Sequence, residues 1–350
     1  MEKKLLRISV VIPVYNAAIF LEKAVLSALA QPQTKEVILV EDGSKDNSLQ
    51  VCQLLAEHHP QVHLYTHPNN ENKGAGASRN LGILKSASDY ISFLDADDFF
   101  LPNRFEAEEK IFTADENADG VYGALGFHFY SDAAQENYQK AGFSSLKLTT
   151  VSEAVPPENL KWVLLDIIKG KGGFSIVTLT VKKKLILRTA YFSGLALGED
   201  TAFLIKLAFN GKLVSGIIDR PIGLRGAHED NRVTKNLRNP LARYKMYDEL
   251  YRWAQESHQP KSVVSLLLAR RISKKIEASG QTERYFIWLK GLFTCRFFRQ
   301  YEYFFNYAVT LVFKRKSVQL FIIKNKERIQ KKIFKKESST VAMNAELGIH

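Results

Sequence analysis

The chain has 350 residues, a formal net charge of +12, 45% hydrophobic residues and 25% charged residues, a composition ordinary for a soluble globular protein. Its two cysteines, Cys52 and Cys295, lie far apart, which excludes a disulfide framework and a thiolate metal site. Met1 to Arg7 is not followed by a secretory h-region, and no run approaches the roughly 18 apolar residues of a spanning helix, so a cytoplasmic protein is expected.

Ile8 to Val14 is apolar and β-branched and reads as a first central strand. Ala17 to Ala30 then repeats apolar residues at helical spacing, with Asn16 placed to cap it. Val37 to Val40 is a second buried strand, stopped by Glu41-Asp42-Gly43-Ser44, and Asp46 or Asn47 is placed to cap the next helix. Val62 to Thr66 is a third strand. A polar loop leads into Gly74-Ala75-Gly76-Ala77-Ser78-Arg79-Asn80 and a helix to about Ser86. The run from Tyr90 to Leu94 is a fourth strand, ending in Asp95-Ala96-Asp97-Asp98. This alternation predicts an α/β protein with a parallel sheet.

Beyond Pro102 a helix is expected to about Asn117, then a single strand over Gly120 to Phe129. Asp132 to Pro157 reads as loop and Leu160 to Lys169 as helix. Ile176 to Val181 is strand-like, Gly198-Glu199-Asp200 opens an amphipathic helix through Phe209, and Leu213 to Ile218 is a further strand. Asn239-Pro240 marks a boundary. The expected organisation is a catalytic body over 1–238, a basic helical region over 239–334 and a disordered tail over 335–350.

The chemistry gathers in the loops at the strand ends, where open α/β sheets place their ligand crevice. Three carboxylates in four residues, Asp95, Asp97 and Asp98, repel one another unless a cation or hydrogen-bond donors compensate them. A hard divalent ion, Mn²⁺ or Mg²⁺, held by carboxylates and substrate phosphates would do so; a solvated acidic turn is the plainer alternative. Tyr15 offers an aromatic face for a base, Asp42 an acceptor for an imide N–H, and Arg79 a charged fork for phosphate. No Walker A pattern occurs. The third glycine of a dinucleotide fingerprint is replaced by Arg79, so a Rossmann NAD site is not expected. His58, His59, His63 and His67 read as surface residues.

Val11-Ile12-Pro13-Val14-Tyr15-Asn16, Val40-Glu41-Asp42-Gly43-Ser44, Gly74 to Asn80 and Leu94 to Asp98 resemble, in register, the motifs of family 2 inverting glycosyltransferases. The likeness covers about residues 7–235. It implies the A-type glycosyltransferase fold, which is Rossmann-like with a mostly parallel sheet between helices, and a C-terminal helical region. It also implies donor contacts at Pro13, Tyr15, Asp42, Arg79 and Asp95, and a metal at Asp95 and Asp97. Gly198-Glu199-Asp200 falls where such enzymes keep the general base, with Asp200 as base and Glu199 positioning its loop; an acidic first turn favoured by the helix dipole is the alternative. Arg225 to Arg232 resembles the late basic segment of these enzymes, and His228 is a candidate third metal ligand. The implied reaction moves a sugar, most simply UDP-linked, to a glycan or lipid-linked acceptor of the bacterial cell surface, on the cytoplasmic side of the membrane. The rivals are a sugar nucleotidyltransferase, which needs an early basic glycine-rich loop that is absent, and a nucleotide-sugar-binding protein that has lost catalysis.

Charge divides the chain. Lys261 to Lys336 holds 19 Lys and Arg against four Glu, a balance of +15 that leaves −3 for the remainder. Aromatic residues from Phe293 to Phe313 interleave with this charge. Peripheral binding to an anionic membrane and a helical cap with a solvated basic face both remain open. No nucleic-acid module is recognisable, and no nucleic-acid partner is expected.

Overall fold

The computed structural model describes residues 6–140, 148–168, 170–189, 191–229, 231 and 239–280, with Glu283, Arg284, Phe286, Ile287 and Lys290. The chain divides into two compact units, Met1–Arg238 and Asn239–His350.

The first unit begins with β1 (Ile8–Val14), α1 (Ala18–Leu29), β2 (Thr34–Glu41), α2 (Ser48–His58), β3 (Val62–Thr66), α3 (Ala75–Lys85) and β4 (Tyr90–Phe93). Largely apolar runs form β1, β2 and β4 because both faces are covered: Val10 to Ile12, Val37 to Val40, Ile91 and Phe93 are fully buried, whereas β3 at the sheet edge is mostly exposed or half-buried. The four strands are mutually parallel in the order β3-β2-β1-β4. Connections run outward from β1 to β3, then return to the other side of β1. Right-handed crossovers therefore put α1 and α2 on one face and α3 on the other, and a crevice opens beyond the strand ends where the direction reverses.

The remainder departs from the parallel sheet that the alternation predicts. It contains β5 (Phe99–Phe100), α4 (Glu106–Ala114), β6 (Gly120–Tyr122), β7 (Ala124–Phe129), α5 (Asp132–Lys140), α6 (Pro157–Leu164), β8 (Leu179–Lys182), α7 (Lys183–Thr189), α8 (Glu199–Asn210), β9 (Leu213–Ser215) and β10 (Pro221–Ala227). The main sheet continues as β4-β8-β6-β9, with β8 antiparallel to both β4 and β6. The single strand expected over Gly120 to Phe129 is two. It breaks at Gly123, and β7 joins a separate three-stranded sheet of order β5-β10-β7. The stretch expected as loop after Asp132 opens with α5, whose Ala134 and Tyr138 are buried.

Asn16 does not cap α1. Its φ of 49° places it in the left-handed region, and its Oδ1 accepts from Lys45 N at 2.8 Å. The first-turn N–H groups of α1 are met from the next loop instead: Ala17 N donates to Ser48 Oγ (2.9 Å) and Ala18 N to Asp46 Oδ2 (3.2 Å). Asp46 Oδ1 also accepts from Ser48 N at 3.0 Å, so one carboxylate serves the starts of two helices.

Arg104 stitches the parallel strands to the later ones. It is fully buried, paired with Glu108 of α4, and its Nη2 donates to Ser92 Oγ of β4 (2.9 Å), Thr180 Oγ1 of β8 (3.3 Å) and the Val177 carbonyl (3.3 Å).

The second unit shows α9 (Pro240–Glu256) and α10 (Lys261–Ala278), with Asn239 Oδ1 accepting from Ala242 N at 3.1 Å to cap the former. Leu250 and Trp253 of α9 and Leu267 and Ile276 of α10 are buried. Asp248 of α9 pairs with Arg271 of α10. Among the described residues no helix is long and apolar enough to cross a membrane. The aromatic and basic stretch from Phe293 and the tail from Lys335 lie outside the described residues.

Candidate active site

The crevice at the strand ends is built from carboxylates, and the two acidic loops are compensated differently. After β2, Glu41 accepts from Ser44 N (2.6 Å) and Gly43 N (3.1 Å) through its two oxygens. Asp42, 2% exposed, accepts from Lys73 N (2.7 Å) and Gly74 N (2.9 Å), which fixes the entry to α3. His67 is not a surface residue. It is buried, with Nε2 3.0 Å from Ser78 Oγ and 3.5 Å from Asp42 Oδ1. Pro13 lies within β1 in register with Val40, and Tyr15 follows the strand with its ring 45% exposed at the rim.

After β4 the compensating groups come from α3 and from the segment around His228. Asp95 Oδ1 accepts from Arg79 Nη2 at 2.7 Å. Asp97 Oδ2 lies 3.2 Å from His228 Nε2 and 3.0 Å from Asn231 Nδ2. Asp98, buried, accepts from Gly226 N through Oδ1 at 2.9 Å. Burial first, then the neighbouring charges of Asp97 and Asp95, push the Asp98 carboxyl well above the usual carboxylate range, against the pull of Arg225 and the Gly226 N–H. The segment after β10 can seat on this turn only because residue 226 is glycine: a Cβ there would lie 1.9 Å from the Asp97 carbonyl oxygen. Phe20 of α1 stacks on the His228 ring (4.7 Å between centroids, 26°) and steadies it.

Arg79 does not present its fork to the crevice as sequence suggests. It is 4% exposed, and its second nitrogen, Nη1, lies 3.4 Å from Glu199 Oε1. Burial disfavours its charge, but Asp95, Glu199 and Asp200 outweigh burial and hold its pKa above the ordinary value. Glu199 opens α8 and is buried; Asp200 beside it is half-buried, with Oδ1 accepting from Thr201 N at 2.6 Å. A chain of contacts, Asp95 to Arg79 to Glu199, thus connects the acidic turn to the start of α8.

The donor set suits a hard cation in part. Among the described residues no group of three or more His, Cys, Asp or Glu side chains converges for a metal. Asp97 Oδ2 and His228 Nε2, however, stand 3.2 Å apart, close to the ~3 Å between adjacent ligands of an octahedral ion bound at ~2.1 Å. Such an ion draws its remaining ligands from water and substrate phosphate, so two protein donors are enough. Asp95 Oδ1 is engaged by Arg79.

A mostly parallel sheet whose switch point faces an acidic turn, with a second acidic pair at a later helix start, is the architecture of the A-type glycosyltransferase fold. Comparison with known proteins gives the likeness: residues 9–167 match the Glycosyl transferase family 2 model. An uncharacterized glycosyltransferase of Haemophilus influenzae is 40% identical over 102 residues, 29% of this chain and 40% of that protein. The succinoglycan biosynthesis protein ExoU of Rhizobium meliloti is 39% identical over 97 residues, 28% of each chain. These matches span well under half of the relatives' length. Staphylococcus aureus TarS 1–349, solved in complex with UDP-GlcNAc, superposes with a TM-score of 0.61 over 94% of this chain and 92% of that one, at 15% identity. That likeness shows the shared fold.

Several residues of the site carry no sequence signal of their own. Asn231 and Gly226 are single residues in a stretch without periodicity, Phe20 sits in the periodic run of α1 with nothing to set it apart, and only the fold brings them to the crevice. A glycine between Arg225 and His228, facing an acidic turn, was the one available clue to a close backbone approach.

Proposed function

We propose that this glycosyltransferase moves a sugar from a nucleoside diphosphate donor, UDP-linked, to a hydroxyl of a glycan or lipid-linked acceptor, with inversion at the anomeric carbon. The observation that carries the reading is the pairing of Asp97 with His228 at the switch-point crevice, connected through Arg79 to the acidic start of α8. Tyr15 stacks on the base, and Asp42 accepts from its imide N–H with lone pairs left over by Lys73 and Gly74. Asp95 receives the ribose hydroxyls. Asp97 and His228 are the residues that would hold Mn²⁺ or Mg²⁺, which would supply charge to neutralise a departing diphosphate. Asp200 takes the acceptor hydroxyl's proton as its oxygen attacks the anomeric carbon, and one displacement on the face opposite the leaving group inverts that centre. Glu199, tied to Arg79, keeps Asp200 aimed.

The crystal structures of TarS 1–349 with UDP-GlcNAc and with UDP support the choice of a uridine nucleotide. The name of ExoU supports a polysaccharide acceptor. The +15 charge between Lys261 and Lys336 and its interleaved aromatics support peripheral attachment to anionic lipid, which flotation on anionic and neutral vesicles tests directly. Reaction chemistry is tested by following UDP release from UDP-sugars. Asp200→Asn is expected to slow release by about 10²–10⁴, the usual loss for one general base, with donor affinity nearly intact. Wild-type rates in that variant would leave Asp200 a helix-start residue only.

A further inference from the structure

We propose that Arg79 is a positioning residue, clamping the base-bearing start of α8 to the donor crevice, and not a ligand of the donor's phosphates. The inference rests on the glycosyl-transfer reading above, with Asp95 on the donor side and Asp200 on the acceptor side. Both terminal nitrogens of Arg79 are committed to carboxylates, Nη2 to Asp95 at 2.7 Å and Nη1 to Glu199 at 3.4 Å. The guanidinium is flanked by the Phe192 ring, 5.3 Å from its centroid, and is shut off from solvent. A phosphate reaching it would have to displace one of these carboxylates, stripping a buried Glu199 of its cation.

Two further residues of α3 grip the same loop. The Asn80 side-chain amide accepts from Phe192 N and donates to the Phe192 carbonyl, each at 2.9 Å. Gly76 lets the backbones close: a Cβ there would stand 3.0 Å from the Ser193 carbonyl, 3.3 Å from Phe192 Cβ and 3.5 Å from Glu199 Cγ. Phe192 in turn stacks on Phe203 of α8 at 3.9 Å between centroids. The face of α3 carrying Gly76, Arg79 and Asn80 therefore holds the approach to α8 at three points, and Arg79 alone also reaches the acidic turn. A planar fork spans two carboxylates; a lysine ammonium is a point charge on a flexible stem and cannot hold both in one geometry.

Four variants test this: Arg79→Lys, Arg79→Gln, Glu199→Gln and the double change Arg79→Lys/Glu199→Gln. UDP affinity is read by calorimetry with Mn²⁺, turnover by UDP release from the UDP-sugar the wild type hydrolyses fastest, and folding by thermal melting. Expected are UDP affinities within about threefold of wild type and turnover lower by about tenfold or more in every variant, since small misplacements of a reacting group have large rate effects. The double variant should be no slower than the worse single one, because both changes cut one clamp. Loss of UDP affinity by about tenfold or more in Arg79→Lys or Arg79→Gln would make Arg79 a phosphate ligand, that being the worth of a charge-assisted hydrogen bond. Multiplicative losses, or wild-type turnover in Arg79→Lys, would also overturn the proposal. If Arg79→Gln fails to fold, the lysine and Glu199 variants decide the matter. A wild type that does not bind UDP at all removes the glycosyl-transfer reading itself, a failure distinct from any of these.

Discussion

The two acidic loops beside β1 make an instructive pair. Glu41 and Asp42, after β2, are satisfied by backbone N–H groups of Gly43, Ser44, Lys73 and Gly74. Asp95, Asp97 and Asp98, after β4, are met by Arg79, by His228 and Asn231, and by the Gly226 N–H. The first loop is thus completed within the parallel half of the sheet. The second takes Arg79 from α3 but is completed only by the segment from Gly226 to Asn231, brought in by the mixed strands and the small sheet. A carboxylate bonded to backbone is a fixed structural acceptor; one met by movable side chains can exchange those partners for a ligand. That difference makes the first loop a rigid wall of the crevice, where Asp42 offers a fixed acceptor, and the second the loop whose partners can be exchanged.

The comparison breaks most severely at the stitch between the halves. Removing one partner of a buried ion pair costs about 3–5 kcal/mol, so Arg104→Met is expected to lower the melting temperature more than any other change considered. An unchanged melt would mean the halves are held together without it. Gly226→Ala acts only on the second loop. Overpacking costs about 1–3 kcal/mol, and the added methyl should also push His228 and Asn231 off Asp97, so Mn²⁺-dependent nucleotide binding should weaken while far-UV dichroism stays native. Normal metal-dependent binding in that variant would show that β10 does not complete the site. The smallest effect belongs to the self-contained half: Ser48→Ala removes the acceptor for Ala17 N and should cost about 1 kcal/mol in a denaturant titration, with nucleotide affinity unchanged. A marked loss of affinity there would show that the start of α1 is coupled to the donor crevice.

The same division explains what the amino-acid sequence revealed. In the first hundred residues β1, β2 and β4 are largely apolar runs cut off by polar residues and β3 is a short run of β-formers, so these strands and the loops after them are legible, as is the start of α8 at Gly198-Glu199-Asp200. Later elements are short or broken. Pro221-Ile222-Gly223-Leu224-Arg225-Gly226-Ala227 has no two-residue alternation and two interior glycines, yet it is a strand because Phe99 and Phe100 on one side and β7 on the other offer paired backbone. Gly123 splits one apolar stretch between two sheets, which composition cannot announce. His67 sits in a polar run but turns inward to Asp42 and Ser78. Arg79 reads as a phosphate fork by residue type. Only the approach of Asp95 and Glu199 from two other loops shows where the fork is engaged.

The account turns on Asp97 as the point where nucleotide and cation meet. The direct measurement is calorimetry of UDP with and without Mn²⁺, on wild type and on Asp97→Asn. The expected result is binding to the wild type that strengthens by about tenfold or more with Mn²⁺, the worth of a charge-assisted contact to the diphosphate, and no such gain in the variant. Equal affinity in all four titrations would contradict it.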